Sequence, residues 1–134
     1  GWHADGAWTY GVGKISDDAR RLMAVTKESL MQGLAKAKAG KRTGEIGQAV
    51  QSYVERHGYG IVRDLVGHGI GQEVHENPQH VPNYGPKHKG DWLKENMTIC
   101  VEPMVNQGTH EVFFDARDKW TVRTRDRKLS AHYA

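Results

Sequence analysis

The chain has 134 residues, enough for one domain with a hydrophobic core. Charged residues make up 26% and hydrophobic ones 37%, which excludes a disordered chain, and a net charge of +3 is too mild to indicate a nucleic-acid partner by itself. A single cysteine, Cys100, excludes an internal disulfide and fits a reducing cytoplasm, and no apolar run approaches the ~20 residues that span a bilayer.

From Trp2 to Val12 the chain is rich in aromatic and small residues without helical periodicity, which predicts a strand or hairpin arm ended by Gly11 and Gly13. Ser16 is the predicted N-cap of a long helix, with Asp17 and Asp18 favourably placed in its first turn. Apolar spacing at Ala19, Leu22, Met23, Thr26, Leu30 and Leu34 gives one buried stripe, and Gly40 is the predicted C-terminal cap. A second helix is predicted from Thr43 to the stop at His57-Gly58, with Ile46, Ala49, Val50, Tyr53 and Val54 on one face.

The pattern then changes. Residues 60–66 (GIVRDLV) are short and β-branched and predict a strand, whereas 67–90 are too polar and irregular for either period. Residues 97–105 (MTICVEPMV) predict a largely buried strand, and 111–114 with 120–124 alternate well enough for a hairpin. Two helices followed by several strands predict an α+β fold, its helices packed on one face of an antiparallel sheet.

Three places put ionisable residues where local structure does not ask for them. Asp5 falls inside the first predicted strand, either on its solvent face or held for a purpose. His68 is flanked by Gly67 and Gly69, which let the backbone turn sharply and leave the imidazole uncrowded. With eight histidines in the chain, a glycine-rich turn with an incidental histidine is the competing reading. His75, seven residues on, makes His68 and His75 a reasonable metal or acid–base pair, though the spacing is not that of the helical zinc signature. Glu102 lies within an apolar strand, where a carboxylate must be paired, exposed at a strand end, or bound to metal; Pro103 supports the strand end. Two carboxylates and an imidazole suit Mn, Fe, Co or Zn better than Ca or Mg. The residues alone lead no further than a hydrolytic metal site.

At these residues the sequence resembles the type I methionine aminopeptidase family, nearly end to end. The segments that carry the resemblance are WHAD at 2–5, WTYGVG at 8–13, GYGIVRDLVGHGIG at 58–71, HENP at 75–78 and VPNYG at 81–85. ICVEPMVNQGT at 99–109 and WTVRTRDRKLSAHY at 120–133 complete it in the same order. The resemblance implies a pita-bread-like fold of which this chain covers roughly the C-terminal half, as a single partial domain over 1–134. It implies a cytoplasmic enzyme that removes N-terminal methionine from nascent proteins with two divalent metal ions (Co, Mn, Fe or Zn). Asp5 would bridge the ions, and His68 and Glu102 would ligate one of them. His75 would touch the scissile peptide, Glu102 would also shuttle a proton, and Val74, His75 and Trp120 would line the methionine pocket.

Two positions depart from the family pattern. Its first ligand, an aspartate eleven residues before the place of Asp5, would precede Gly1, and Ala134 stands where its last, a glutamate, is expected. Three of five ligands are therefore present, and fewer ions are expected in this chain. The same departures support a peptide-binding domain without catalysis as an alternative, with a proline-type aminopeptidase as another. Methionyl peptides or nascent chains are the implied partners, no membrane is, and self-association through an uncovered sheet is expected. The basic residues Arg117, Lys119, Arg123, Arg125, Arg127 and Lys128 form either a solvated face or a patch for ribosomal RNA.

Overall fold

The computed structural model describes residues 1–134. Helix α1 spans Asp17–Leu34, and its Ser16 hydroxyl accepts from the Ala19 amide at 3.1 Å, which satisfies one of the free donors of the first turn. Leu22, Thr26 and Leu30 face inward as their spacing predicts, joined by Val25, Ser29 and Gly33, while Leu34 stays 45% exposed. The helix stops at Leu34 rather than Gly40. Residues 35–41 turn away instead, and the Gly40 amide donates to the Leu93 carbonyl at 2.9 Å.

Helix α2 spans Thr43–Arg56 and buries Ile46, Val50 and Val54 against α1 and the strands. The helices meet closely at Gly33, where an added Cβ would lie 2.7 Å from Val50 Cγ2. The core gathers Leu22 and Leu30 of α1, the α2 residues, and Ile61, Val105, Ala131 and Tyr133. Each such buried Leu, Ile or Val side chain contributes ~1.5–3 kcal/mol.

The strands are short and all pairings are antiparallel. They are β1 (Gly60–Ile61), β2 (Gly67–Gly69), β3 (Glu76–Val81), β4 (Met104–Asn106), β5 (Val112–Phe114), β6 (Val122–Thr124) and β7 (Ser130–His132). Strands β1, β4 and β7 form one sheet in that order, and β2–β3 and β5–β6 form two pairs. The α+β arrangement, helices against antiparallel strands, and the β5–β6 hairpin are as expected.

Several boundaries differ from the sequence expectation. The predicted strand at 60–66 survives only as Gly60–Ile61, and that at 97–105 only at its end, as Met104 onward. Residues 98–100 are extended without being a named strand. They carry an isolated bridge, Gly69 to Ile99, and their Cys100 amide donates to the His68 carbonyl at 2.7 Å. The segment expected to be irregular contains β2 and β3, whose register shifts between Gly67 and Gly69 and so hides the alternation. The first twelve residues form no strand. Discrete bonds fix them instead: His3 amide to the Gly71 carbonyl (2.8 Å), Ala134 amide to the Ala7 carbonyl (2.8 Å), and Thr9 Oγ1 to the His132 carbonyl (2.7 Å).

Candidate metal centre

Three separate segments bring Asp5, His68 and Glu102 together. Asp5 lies between two anchors of the N-terminal segment, His3 on Gly71 and Ala7 on Ala134. His68 lies in β2, and Glu102 follows the extended residues paired with it. The Asn83 amide group, fully buried, donates to the Glu102 carbonyl at 3.0 Å and fixes its backbone. His68 Nε2 then stands 3.3 Å from Glu102 Oε1 and 3.7 Å from Asp5 Oδ2.

The hydrogen bonding shows what such a cluster lacks. His68 Nδ1 is 2.8 Å from the Gly69 carbonyl, which only accepts, so Nδ1 carries a proton, and in the neutral ring Nε2 presents a lone pair. Glu102 Oε1 is buried with no hydrogen-bond partner. Burial, first, and the Asp5 carboxylate, second, raise the Glu102 pKa above its ordinary value, and His68 opposes them. With the imidazole neutral, acceptor atoms from three residues converge without a donor, an environment complementary to a cation. The donor set fits a divalent transition metal.

Cys100 belongs to the same group. One ligand atom from each of Asp5, His68, Cys100 and Glu102 lies within 4.8 Å of every other. Burial, then Asp5 and Glu102, push the Cys100 thiol up to about 11. In the sequence Cys100 stood out only as the single cysteine that excludes an internal disulfide. The available signal was its position two residues before Glu102 in an extended run, which puts both on one face.

The remaining expected residues differ in their setting. The His75 ring packs on that of His68, centroids 4.1 Å apart and planes inclined at 45°. His75 itself is exposed, and Val74 beside it is 44% exposed. Trp120 is 85% exposed in the β5–β6 turn, where its amide donates to Asp118. A cleft of about 390 Å³ opens beside the cluster, lined mainly by apolar side chains, with Trp2, Leu30, Leu34 and Ile99 meeting Asp5 and Cys100.

Comparison with known proteins gives this geometry a context. The sequence pattern of metallopeptidase family M24 matches residues 1–127. Methionine aminopeptidase 1 of Bacillus subtilis (strain 168) is 52% identical over 133 residues, covering 99% of this chain and 53% of that protein. The crystal structure of methionine aminopeptidase from Rickettsia prowazekii superposes with a TM-score of 0.95 at 42% identity, covering 98% of this chain and 53% of that one. The prolidase from Pyrococcus horikoshii OT3 shares the fold, with a TM-score of 0.72 at 22% identity, covering 98% of this chain and 32% of that one. The chain spans about half the length of the methionine aminopeptidases it matches. With a match over residues 1–127 and an α+β core that superposes on these enzymes, the chain belongs to metallopeptidase family M24.

Proposed function

We propose that the chain carries part of the catalytic centre of a metal-dependent aminopeptidase that removes N-terminal methionine. The observation that carries this reading is the donor-free convergence of Asp5, His68 and Glu102 in a chain 52% identical to a methionine aminopeptidase. The 22% identity to a prolidase makes a proline-type substrate the weaker choice.

Asp5 is read as a ligand shared by two ions, and His68 and Glu102 as ligands of one; Mn, Fe, Co and Zn all suit this set. Divalent ions supply a Lewis acid for the scissile carbonyl and lower the pKa of water. The chain's own residues do the rest. The Gly69 carbonyl holds His68 in the tautomer that keeps Nε2 free. Glu102 holds its proton at the buried carboxylate more tightly than an exposed glutamate does, which suits a group that passes a proton to a leaving amine. His75, exposed beside His68, is read as the donor to charge developing on the scissile peptide, which its packing on the His68 ring supports. Val74, His75 and Trp120 are assigned to the methionine side chain, whose burial contributes ~1.5–3 kcal/mol.

In this reading residues 1–134 form one part of a single domain, and the apolar cleft beside Trp2 and Leu34 is a contact face for more polypeptide, a second copy included. Nascent chains as substrate, and a single unpaired cysteine, favour the cytoplasm; no helix is long and apolar enough to cross a membrane. Exposed Arg123 and its basic neighbours are offered as the side that approaches ribosomal RNA, weakened by salt if so. A second reading, peptide binding without turnover, rests on Ala134, whose methyl group offers no ligand.

Turnover of a methionyl tripeptide beside an Xaa-Pro peptide tests the proposal, with the gene product loaded with Mn(II) or Co(II). Metal-dependent methionine release that Glu102→Gln abolishes is expected. Cleavage confined to the Xaa-Pro peptide, or binding without any release, would overturn it.

A further inference from the structure

We propose that the Cys100 sulfur is a fourth donor of this centre and biases it toward thiophilic divalent ions. The inference deepens the metal reading above and rests on it. A buried cysteine is most often an inert small apolar residue. Burial alone, however, accounts for neither its direction nor its company. Cys100 alternates with Val101, which belongs to the hydrophobic core, so its side chain leaves the opposite face, the one shared with Glu102.

Geometry supports one ion among the four donors. Ligand atoms on opposite sides of an ion are separated by twice the metal–ligand distance, ~4.2–4.6 Å for bonds of about 2.1–2.3 Å. The four donors span at most 4.8 Å, so contraction by a few tenths of an ångström brings them onto one ion. Two further observations point independently to a ligand there. The His68 side chain is only 7% exposed, and its Nε2 lies 3.3 Å from Glu102 Oε1. That oxygen is itself buried with no hydrogen-bond partner. The cleft that Cys100 and Asp5 both line gives an ion a route in.

Thiolate is a soft donor and carboxylate a hard one. Adding sulfur to Asp5, His68 and Glu102 therefore favours Zn(II), Co(II) and Cd(II) over Mn(II). Ligation releases the thiol proton to the buffer as the metal–sulfur bond forms, with no change of oxidation state.

The chain has one cysteine, which makes the test specific. Purified metal-free protein is titrated with Co(II) and the near-ultraviolet spectrum recorded. A thiolate-to-cobalt charge-transfer band is expected, absent in Cys100→Ser and weakened in His68→Ala. Loss of a partner that merely hydrogen-bonds a ligand costs ~10–100-fold in affinity, so Cys100→Ser should weaken Cd(II) by at least about tenfold. Mn(II) should change far less. Co(II) binding without the band, a band undiminished in His68→Ala, or equal Cd(II) affinity in wild type and Cys100→Ser overturns the proposal and leaves the three-residue centre standing. Failure of Co(II), Cd(II) and Mn(II) alike to bind overturns both. The wild-type spectrum decides even if a variant folds poorly.

Discussion

Replacing Gly69 by alanine should damage the metal centre without touching any of its ligand atoms. An ideal Cβ at Gly69 would lie 2.5 Å from the Asn77 carbonyl oxygen, 2.6 Å from its carbon and 2.7 Å from the Glu76 carbonyl oxygen. All three belong to the backbone of the paired strand β3, so no flexible side chain can move aside. Reaching an ordinary 3.4 Å contact requires 3.4 − 2.5 = 0.9 Å of separation between β2 and β3. Overpacking of this kind costs ~1–3 kcal/mol, or roughly 4–12 °C in Tm for a domain of this size. The same shift moves the Gly69 carbonyl that holds His68 Nδ1 at 2.8 Å. Metal affinity should then fall by ~10–100-fold, the usual effect of losing a ligand's orienting partner. Thermal denaturation and calorimetric titration with Zn(II) measure both. Gly6→Ala, with nothing within 4 Å of its Cβ, is the control and should change neither. A Gly69→Ala protein with unchanged Tm and metal affinity would refute the reasoning.

Three further outcomes follow from the structure. His68→Ala should lower metal content, whereas His75→Ala should keep it and lose ~10²–10³ in turnover as a donor to developing charge; equal metal loss in both would make His75 a ligand. Asp118 accepts from the Thr121 hydroxyl and from the Trp120 and Thr121 amides, which hold its pKa at about 2. A depressed folded pKa gives stability at neutral pH that is lost as pH falls from ~3.9, the unfolded value, through about 2. The Trp120 and Thr121 amide shifts should therefore titrate near pH 2, and a midpoint near ~3.9 would contradict the bonding. The apolar cleft with Trp2 78% exposed predicts dye binding or self-association, and a monomer in sedimentation without dye binding would count against a contact face there.

The helices were legible because each carries its own signals, Ser16 with Asp17 and Asp18 for α1 and the inward face of Ile46, Val50 and Val54 for α2. The end of α1 was not. Residues 35–41 are released from the helix by contacts with a segment fifty residues on, the Gly40–Leu93 bond and the Arg42–Trp92 bridge, which no local period encodes. Strands β2 and β3 escaped notice because a register shift between Gly67 and Gly69 breaks alternation. Asp5, His68 and Glu102 stood out as ionisable residues in unexpected company, and the structure brings them within 3.7 Å contacts of one imidazole. Their order in the chain could not reveal that Asn83 pins Glu102, which depends on which backbone lies beside which, whereas the spacing that turns Cys100 to the same face as Glu102 stood in the sequence.

The most direct test of the central claim is anomalous scattering from crystals soaked in Zn(II), recorded above and below the zinc edge. A peak is expected about 2.0–2.2 Å from His68 Nε2 and from carboxylate oxygens of Asp5 and Glu102. Zinc bound elsewhere, with no peak among these three residues, would contradict it.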